Sequence, residues 1–199
     1  MEDSFLTIEK VAEGLYTEKR SKFISFAIPV NTIEDVQSEL KAYQKKYFDA
    51  RHVCYAYVLG NEGETSRSSD DREPSGTAGR PILGQLRSQN LTNVLLIVVR
   101  YFGGTELGAA NLGRAYKTAA ADALAKTKIK EIVIMDSFVF ESPYTEIDRA
   151  MRILRELGGK IASQTYSDQS VSLKGIIRAG KTEDLRKKLS AIYTIKILK

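Results

Sequence analysis

Residues 130–199 constrain the fold most, because their pattern runs through a complete strand and helix order. Ile132–Phe140 reads as a strand, and Ser142-Pro143 as an N-cap followed by the favoured first-turn proline. Ile147, Met151, Leu154 and Leu157 recur at helical spacing until Gly158 supplies a stop. Lys160–Tyr166 and Val171–Arg178 read as strands joined by the turn Ser167-Asp168-Gln169. Thr182 is expected to cap a second helix carrying Leu185, Leu189 and Ile192, and Ile195–Leu198 to close the pattern as a strand. The order βαββαβ is the split βαβ, ferredoxin-like arrangement.

Ahead of it, strand and helix patterns alternate. Two β-rich stretches lie around Phe5–Glu9 and Lys22–Pro29, separated at Glu13-Gly14-Leu15. Thr32-Ile33-Glu34-Asp35 reads as a capping box, and Ile33, Val36, Leu40, Tyr43 and Tyr47 follow it at helical spacing. His52–Leu59, rich in Val and Tyr, reads as a buried strand. Gly60–Gly79 is polar and lacks apolar periodicity, and a loop of that length inside a domain points to function or disorder. A helix over Pro81–Gln89 and a strand over Asn93–Phe102 follow. Gly103-Gly104 then turns into an Ala-rich helix over Leu107–Ala125, whose Ala110, Ala115, Ala119 and Ala123 permit close approach to a sheet. At ~100–200 residues per domain, 199 residues accommodate two α+β domains, read here as 1–133 and 134–199.

Composition narrows the chemistry. The one cysteine, Cys54, has no internal disulfide partner, which fits a reducing cytoplasm. A structural zinc needs four N or S ligands, and one His with one Cys cannot supply them. No metal and no cofactor is therefore implied. The six-residue aliphatic run Val94–Val99 falls far short of the ~18 residues that suggest a membrane span. The formal charge of +5 is modest, but residues 136–199 hold 12 Lys and Arg against 8 Asp and Glu. The excess charge thus sits mostly in the smaller domain.

Three constellations bear on function. The loop Asp70-Asp71-Arg72-Glu73-Pro74-Ser75-Gly76-Thr77-Ala78-Gly79 gathers three carboxylates, which suit a hard cation or acid–base work, but an ordinary turn whose Asp side chains bond their own backbone outweighs that reading, and the alternating ligands of a calcium loop are missing. Arg100-Tyr101-Phe102-Gly103-Gly104 ends a strand and opens a helix, a setting for an anion. It is neither a P-loop nor GxGxxG, and Glu106 in the first turn would oppose a phosphate. His52 and Cys54 share one strand face, where a half-buried core pair outweighs a nucleophile and base. In the smaller domain, Lys174 and Arg178 with Phe138 and Phe140 would form a base-stacking platform if their faces coincide. Otherwise the aromatics are core and the cations merely solvated. Arg186 and Lys187 extend the candidate nucleic-acid contacts, or mark the wet face of a helix.

The stretch from Gly79-Arg80-Pro81-Ile82-Leu83 through Arg100-Tyr101-Phe102-Gly103-Gly104-Thr105-Glu106-Leu107-Gly108 resembles the IMPACT family, bacterial YigZ type. Arg20-Ser21-Lys22-Phe23, Ala50-Arg51-His52 and the acidic loop resemble it too. Members have Gly between the second Asp and the Glu; here Arg72 stands there, a residue disfavoured at positive φ. The resemblance implies an N-terminal domain of the ribosomal-protein-type βαβ fold, like domain IV of elongation factor G, and a ferredoxin-like C-terminal domain. Eukaryotic relatives regulate translation by competing for a scaffold that activates an initiation-factor kinase.

The resulting expectation is a cytoplasmic, non-catalytic regulatory protein that binds RNA, the ribosome or a translation factor. Its motif residues would be Asp70, Asp71, Glu73, Gly76, Thr77, Gly79, Arg100, Tyr101, Phe102, Gly103 and Gly104, with Arg100 and the carboxylates meeting at one surface. The competing expectation is a small-molecule or nucleotide-binding enzyme with His52 and the acidic loop lining a pocket. A third possibility is a structural clasp, in which Arg100 packs inside against Asp70 or Asp71.

Overall fold

The six aliphatic side chains Val94–Val99 are all fully buried, on both faces of one strand. A strand apolar on both sides needs a cover on each. At about 1.5–3 kcal/mol per buried aliphatic side chain, that strand alone drives much of the folding of its domain. The computed structural model describes residues 3–198. Phe5–Ile132 form one unit, and the residues from Val133 onward, with Asp3 and Ser4, form another.

Apart from Ser4 and Val133 at the ends of its outer strands, the first unit contains in chain order β1 (Ser4–Ile8), β2 (Ala12–Glu18), β3 (Ser21–Pro29), α1 (Ile33–Lys46), β4 (His52–Leu59) and β5 (Thr65–Ser69). It continues through α2 (Gly79–Ser88), β6 (Val94–Tyr101), α3 (Ala109–Ala125) and β7 (Ile129–Val133). Its main sheet has the order β2-β3-β6-β4-β5, with β6 at the centre, and β1 pairs with β7 separately. β6 is antiparallel to both β3 and β4, so β3-α1-β4 is a βαβ unit with β6 inserted between its parallel strands. Val36 of α1 packs with Ile24, Phe26, Leu95, Ile97 and Val99 on one face. Ile82, Leu86, Tyr116, Ala119 and Ala123 of α2 and α3 pack with Phe23, Cys54, Leu96 and Val98 on the other. The Thr32–Asp35 capping box opens α1 as expected.

The second unit runs β8 (Met135–Pro143), α4 (Ile147–Glu156), β9 (Lys160–Tyr166), β10 (Ser170–Arg178), α5 (Thr182–Ser190) and β11 (Lys196–Ile197). The sheet order is β11-β8-β10-β9, antiparallel throughout. Ala150, Leu154, Leu185 and Leu189 from the two helices cover Phe138, Phe140, Leu173 and Ile177.

Several local expectations differ from the structure. Glu13-Gly14-Leu15 is the middle of β2, not a separator. The loop Gly60–Gly79 contains the edge strand β5, whose side chains are nearly all exposed. The strand expected over Ile132–Phe140 breaks at Ile134, where pairing passes from β1 to β10; Ile134 donates to Asp3 O and accepts from Ala179 N instead. Ser142 is buried inside β8 and caps nothing, and Thr182 is already helical, its Oγ1 donating to Asp136 Oδ2 at 2.7 Å. Ala110 is exposed, while Ala115, Ala119 and Ala123 are buried.

Gly14 explains the close seating of α3. A Cβ there would lie 2.5 Å from Ala123 N and 2.4 Å from Ser25 Oγ. Ser25 Oγ in turn donates to Ala119 O at 2.6 Å. Gly14→Ala is expected to destabilise the protein by about 1–3 kcal/mol, as overpacking does. Gly84→Ala, where a Cβ meets nothing within 4 Å in the middle of α2, should stabilise it by about 0.5–1 kcal/mol. Urea midpoints at constant m-value read both changes.

Candidate functional site

Strand register builds the site. Arg100 lies opposite His52 on β4 and Phe23 on β3, so the three side chains stand abreast at one end of the sheet. Alternation along β6 sends Arg100 to the same face as Leu96 and Val98, beneath α3, where it is only 6% exposed. A guanidinium buried this far needs a counter-charge. Glu73 supplies it: Arg100 Nη1 donates to Glu73 Oε1 at 2.7 Å, and the Tyr116 hydroxyl of α3 donates to the same oxygen at 2.8 Å. Phe23 and Phe102 each hold a ring centroid 5.5 Å from the guanidinium. His52 Nε2 is 3.7 Å from Glu73 Oε1, and His52 Nδ1 donates to Asp71 O at 2.8 Å. Because a carbonyl only accepts, that contact puts the proton on Nδ1.

The other two carboxylates go to the backbone. Asp70 Oδ1 accepts from Ala78 N and Gly79 N at 2.9 and 2.8 Å, and Oδ2 from Gly76 N at 2.8 Å. Burial raises the Asp70 carboxyl, but the three amides outweigh it and hold the group below its ordinary value. Asp71 Oδ2 accepts from Val53 N at 2.7 Å, which ties the loop to β4. Gly76 lies at φ +76°, Thr77 Oγ1 donates to Pro74 O at 2.6 Å, and a Cβ on Gly79 would lie 2.8 Å from Ser69 N. Arg72 takes φ +69°, the left-handed turn that glycine would enter more easily. Its Nη2 donates to Arg51 O at 3.0 Å.

The motif residues therefore do not meet at one surface. Glu73 alone among the three carboxylates reaches Arg100, so the ion pair forms with neither Asp70 nor Asp71. Tyr101 points to the opposite sheet face and donates to Asp49 Oδ1 at 2.8 Å. Gly103 backs onto the β2–β3 turn, where a Cβ would lie 2.1 Å from Arg20 C, and its N–H donates to Ser21 Oγ at 3.1 Å. Gly104, at φ +84°, has open space around it.

A cavity of about 340 Å³ opens beside the ion pair, lined by Arg51, His52, Arg72, Glu73, Arg100 and Phe102, and by Glu106–Ala109 at the start of α3. Cys54 is fully buried and outside the cavity lining, with Sγ 3.0 Å from Asp70 O and 3.3 Å from the Tyr116 hydroxyl. Burial pushes the Cys54 thiol far up, which leaves no thiolate for nucleophilic work. Burial also pushes the Tyr116 phenol up, so it stays a donor. Among the described residues no group of three or more His, Cys, Asp or Glu side chains could hold a metal ion. Tyr116 escaped sequence reading, although Leu112, Tyr116, Ala119 and Ala123 share the buried stripe of α3.

In the second unit the proposed platform does not form. Phe138 and Phe140 lie under the helices with Leu173 and Ile177, whereas Lys174 and Arg178 project from the other face. Arg178 Nη2 pairs with Asp3 Oδ1 at 3.1 Å. Arg186 and Lys187 are exposed on α5, which covers the aromatic face, so the four cations do not share one surface.

Comparison with known proteins gives a consistent set of relatives. The Impact N-terminal domain model matches residues 19–124, more than half of the chain. The IMPACT family member YvyE of Bacillus subtilis is 33% identical over 165 residues, 83% of this chain and 76% of that protein. The IMPACT family member YigZ of Escherichia coli is 29% identical over 174 residues, 86% of this chain and 85% of that protein. A crystal structure described as that of a hypothetical protein aligns with a TM-score of 0.69 at 27% identity, covering 100% of this chain and 98% of the other. Among the described residues no helix is long and apolar enough to cross a membrane.

The buried network makes two measurable demands. Glu73→Gln leaves the Arg100 charge uncompensated and is expected to cost about 3–5 kcal/mol. Tyr116→Phe loses one hydrogen bond to a charged acceptor, about 1.5–3 kcal/mol. Chemical denaturation at pH 7 ranks the two. Asp70→Asn should destabilise by about 1–3 kcal/mol at neutral pH. The folded-state pKa of Asp70 lies below 3.8, so its contribution is complete above that value and is lost as pH falls through the folded pKa. Melts of wild type and Asp70→Asn from pH 7 to below pH 4 should therefore converge in acid.

Proposed function

The chain belongs to the IMPACT family, and from that membership we propose that it is a cytoplasmic regulatory protein of translation that binds RNA, the ribosome or a translation factor and performs no catalysis. The link to translation rests on the family, whose eukaryotic members regulate that process. Absence of catalysis is supported by one observation: the motif's reactive groups are spent on one another. Glu73 Oε1 accepts from both Arg100 and Tyr116, Asp70 and Asp71 accept from backbone amides, and the Cys54 thiol is pushed out of reach of ionisation. The motif is then a clasp that holds loop, sheet and helix together, and recognition falls to groups around it.

The βαβ unit β3-α1-β4 agrees with an N-terminal domain like domain IV of elongation factor G. The antiparallel order β11-β8-β10-β9 agrees with a ferredoxin-like C-terminal domain. In that domain Lys174, Arg186 and Lys187 are exposed and are the candidate phosphate contacts. Arg178, paired with Asp3, is a weaker one. One observation favours a second reading, a small-molecule or nucleotide-binding enzyme: the cavity lies directly against His52 and Glu73.

Ribosome co-sedimentation at low and high salt tests the first reading. Pelleting at low salt that falls off as salt rises is expected, because phosphate contacts release counterions. Lys174→Ala and Arg186→Ala/Lys187→Ala should each weaken pelleting and flatten the salt slope by about one per cation removed. A chain that stays in the supernatant at low salt would sink the RNA and ribosome reading.

A further inference from the structure

The cavity beside Glu73 keeps binding capacity that the clasp does not consume. Helix α3, 17 residues long, is preceded at its N-cap by Gly108, which has no side chain to satisfy the first amides, and Gly108 and Ala109 both line the cavity. An uncapped start of a long helix carries orphan N–H groups and partial positive charge. Arg100, itself more than nine-tenths buried, lines the same space; its Nη1 donates to Glu73, and its Nε, which has almost no accessible surface, is among the described residues the one buried side-chain nitrogen or oxygen without a hydrogen-bond partner. Arg51 and Arg72 add exposed guanidinium groups at the rim. Glu106 opposes them there, and the charges of Glu73 and Arg100 answer each other, so the donors left for an anion are the helix amides with Arg51 and Arg72. These donors suit an anion with several acceptor oxygens.

A flat aromatic surface lies beside the donors. Phe102 is 41% exposed, with the Arg51 guanidinium 5.6 Å from its centroid. In proteins that bind single strands, aromatic rings flanked by arginine serve as stacking platforms for nucleobases. The volume, about 340 Å³, lies at the small end of ligand pockets, which run from about 300 to 1,000 Å³.

We propose that this cavity binds a phosphate monoester carried on a flat base, that is, a single nucleotide unit. The phosphate sits at the start of α3 with Arg51 and Arg72, and the base lies against Phe102 where Arg51 now rests. The unit is either a free nucleotide or the 5′-phosphorylated end of an RNA. This inference rests on the second reading above for the place of the ligand and requires no turnover there.

Isothermal titration calorimetry on the full chain tests it with adenosine 5′-monophosphate, adenosine, citrate, and a short single-stranded RNA with and without a 5′-phosphate. Saturable binding of the monophosphate is expected, with adenosine weaker by about tenfold or more. Arg51→Ala, at an exposed position, should weaken monophosphate binding several-fold while leaving the thermal midpoint unchanged; Phe102→Leu should weaken binding likewise and lower the midpoint through its lost contact with Arg100. Arg72→Ala, which also removes the hydrogen bond to Arg51 O, provides a third reading. Phosphorylated RNA binding that shares these sensitivities assigns the terminal nucleotide, and monophosphate binding without it assigns the free one. Adenosine binding as tightly as the monophosphate, or monophosphate binding unmoved in all three variants, overturns the proposal. Citrate binding without monophosphate binding removes the nucleotide assignment and keeps a small-ligand cavity. No binding by any probe removes both.

Discussion

The Arg100–Glu73 ion pair is the contact on which the geometry of the N-terminal unit depends. Removing a guanidinium and a carboxylate from water costs several kcal/mol per ion, and only a close, fully hydrogen-bonded pairing offsets it. Here the compensation is spread over distant parts of the chain. Arg100 comes from the central strand, Glu73 from the acidic loop and Tyr116 from α3, while Phe23 of β3 packs against the guanidinium. Each partner is therefore pinned by the others, and the loop Asp70–Gly79 cannot move without exposing a buried charge.

The rest of the site is scaffolding for that pair. Asp70 gathers the amides that open α2, Asp71 fastens the loop to β4, and Ser21 receives the Gly103 amide. Gly103 must lack a side chain because the β2–β3 turn passes against its α-carbon. The arrangement explains why segments far apart in sequence carry one motif. Arg20-Ser21-Lys22-Phe23, Arg51-His52, the acidic loop and Arg100–Gly104 converge at one end of one sheet. It also leaves a cavity on the outer side of the pair, bordered by the uncapped start of α3.

Much of the fold was legible because it obeys local rules. The capping box at Thr32–Asp35, the strand His52–Leu59, the stripe Ile147–Leu157 with its Gly158 stop, and the βαββαβ order all follow from spacing and cap chemistry. β2 was illegible because its burial inverts the usual pattern. Ala12 and Gly14 are buried, whereas Val11 and Leu15 are half exposed, since α3 approaches too closely for a larger residue at Gly14. β5 carries no apolar residue that could mark it. Thr182 and Ser142 look like caps, yet the hydroxyl of one binds Asp136 and the other lies within a strand.

By itself the sequence determined the family, most of the element types and the motif residues that carry the resemblance, though not Tyr116, since propensity, periodicity and motif spacing are properties of neighbours along the chain. Only the tertiary structure decided how those residues divide. Strand register set Arg100 and His52 on the covered face and Tyr101 on the opposite one, and loop geometry chose Glu73 over Asp70 and Asp71 as the counter-charge. It likewise separated Phe138 and Phe140 from Lys174 and Arg178 on opposite sides of a sheet. Burial determines whether a charge is answered by its own protein or left for a partner, and burial is fixed by contacts between residues distant in sequence.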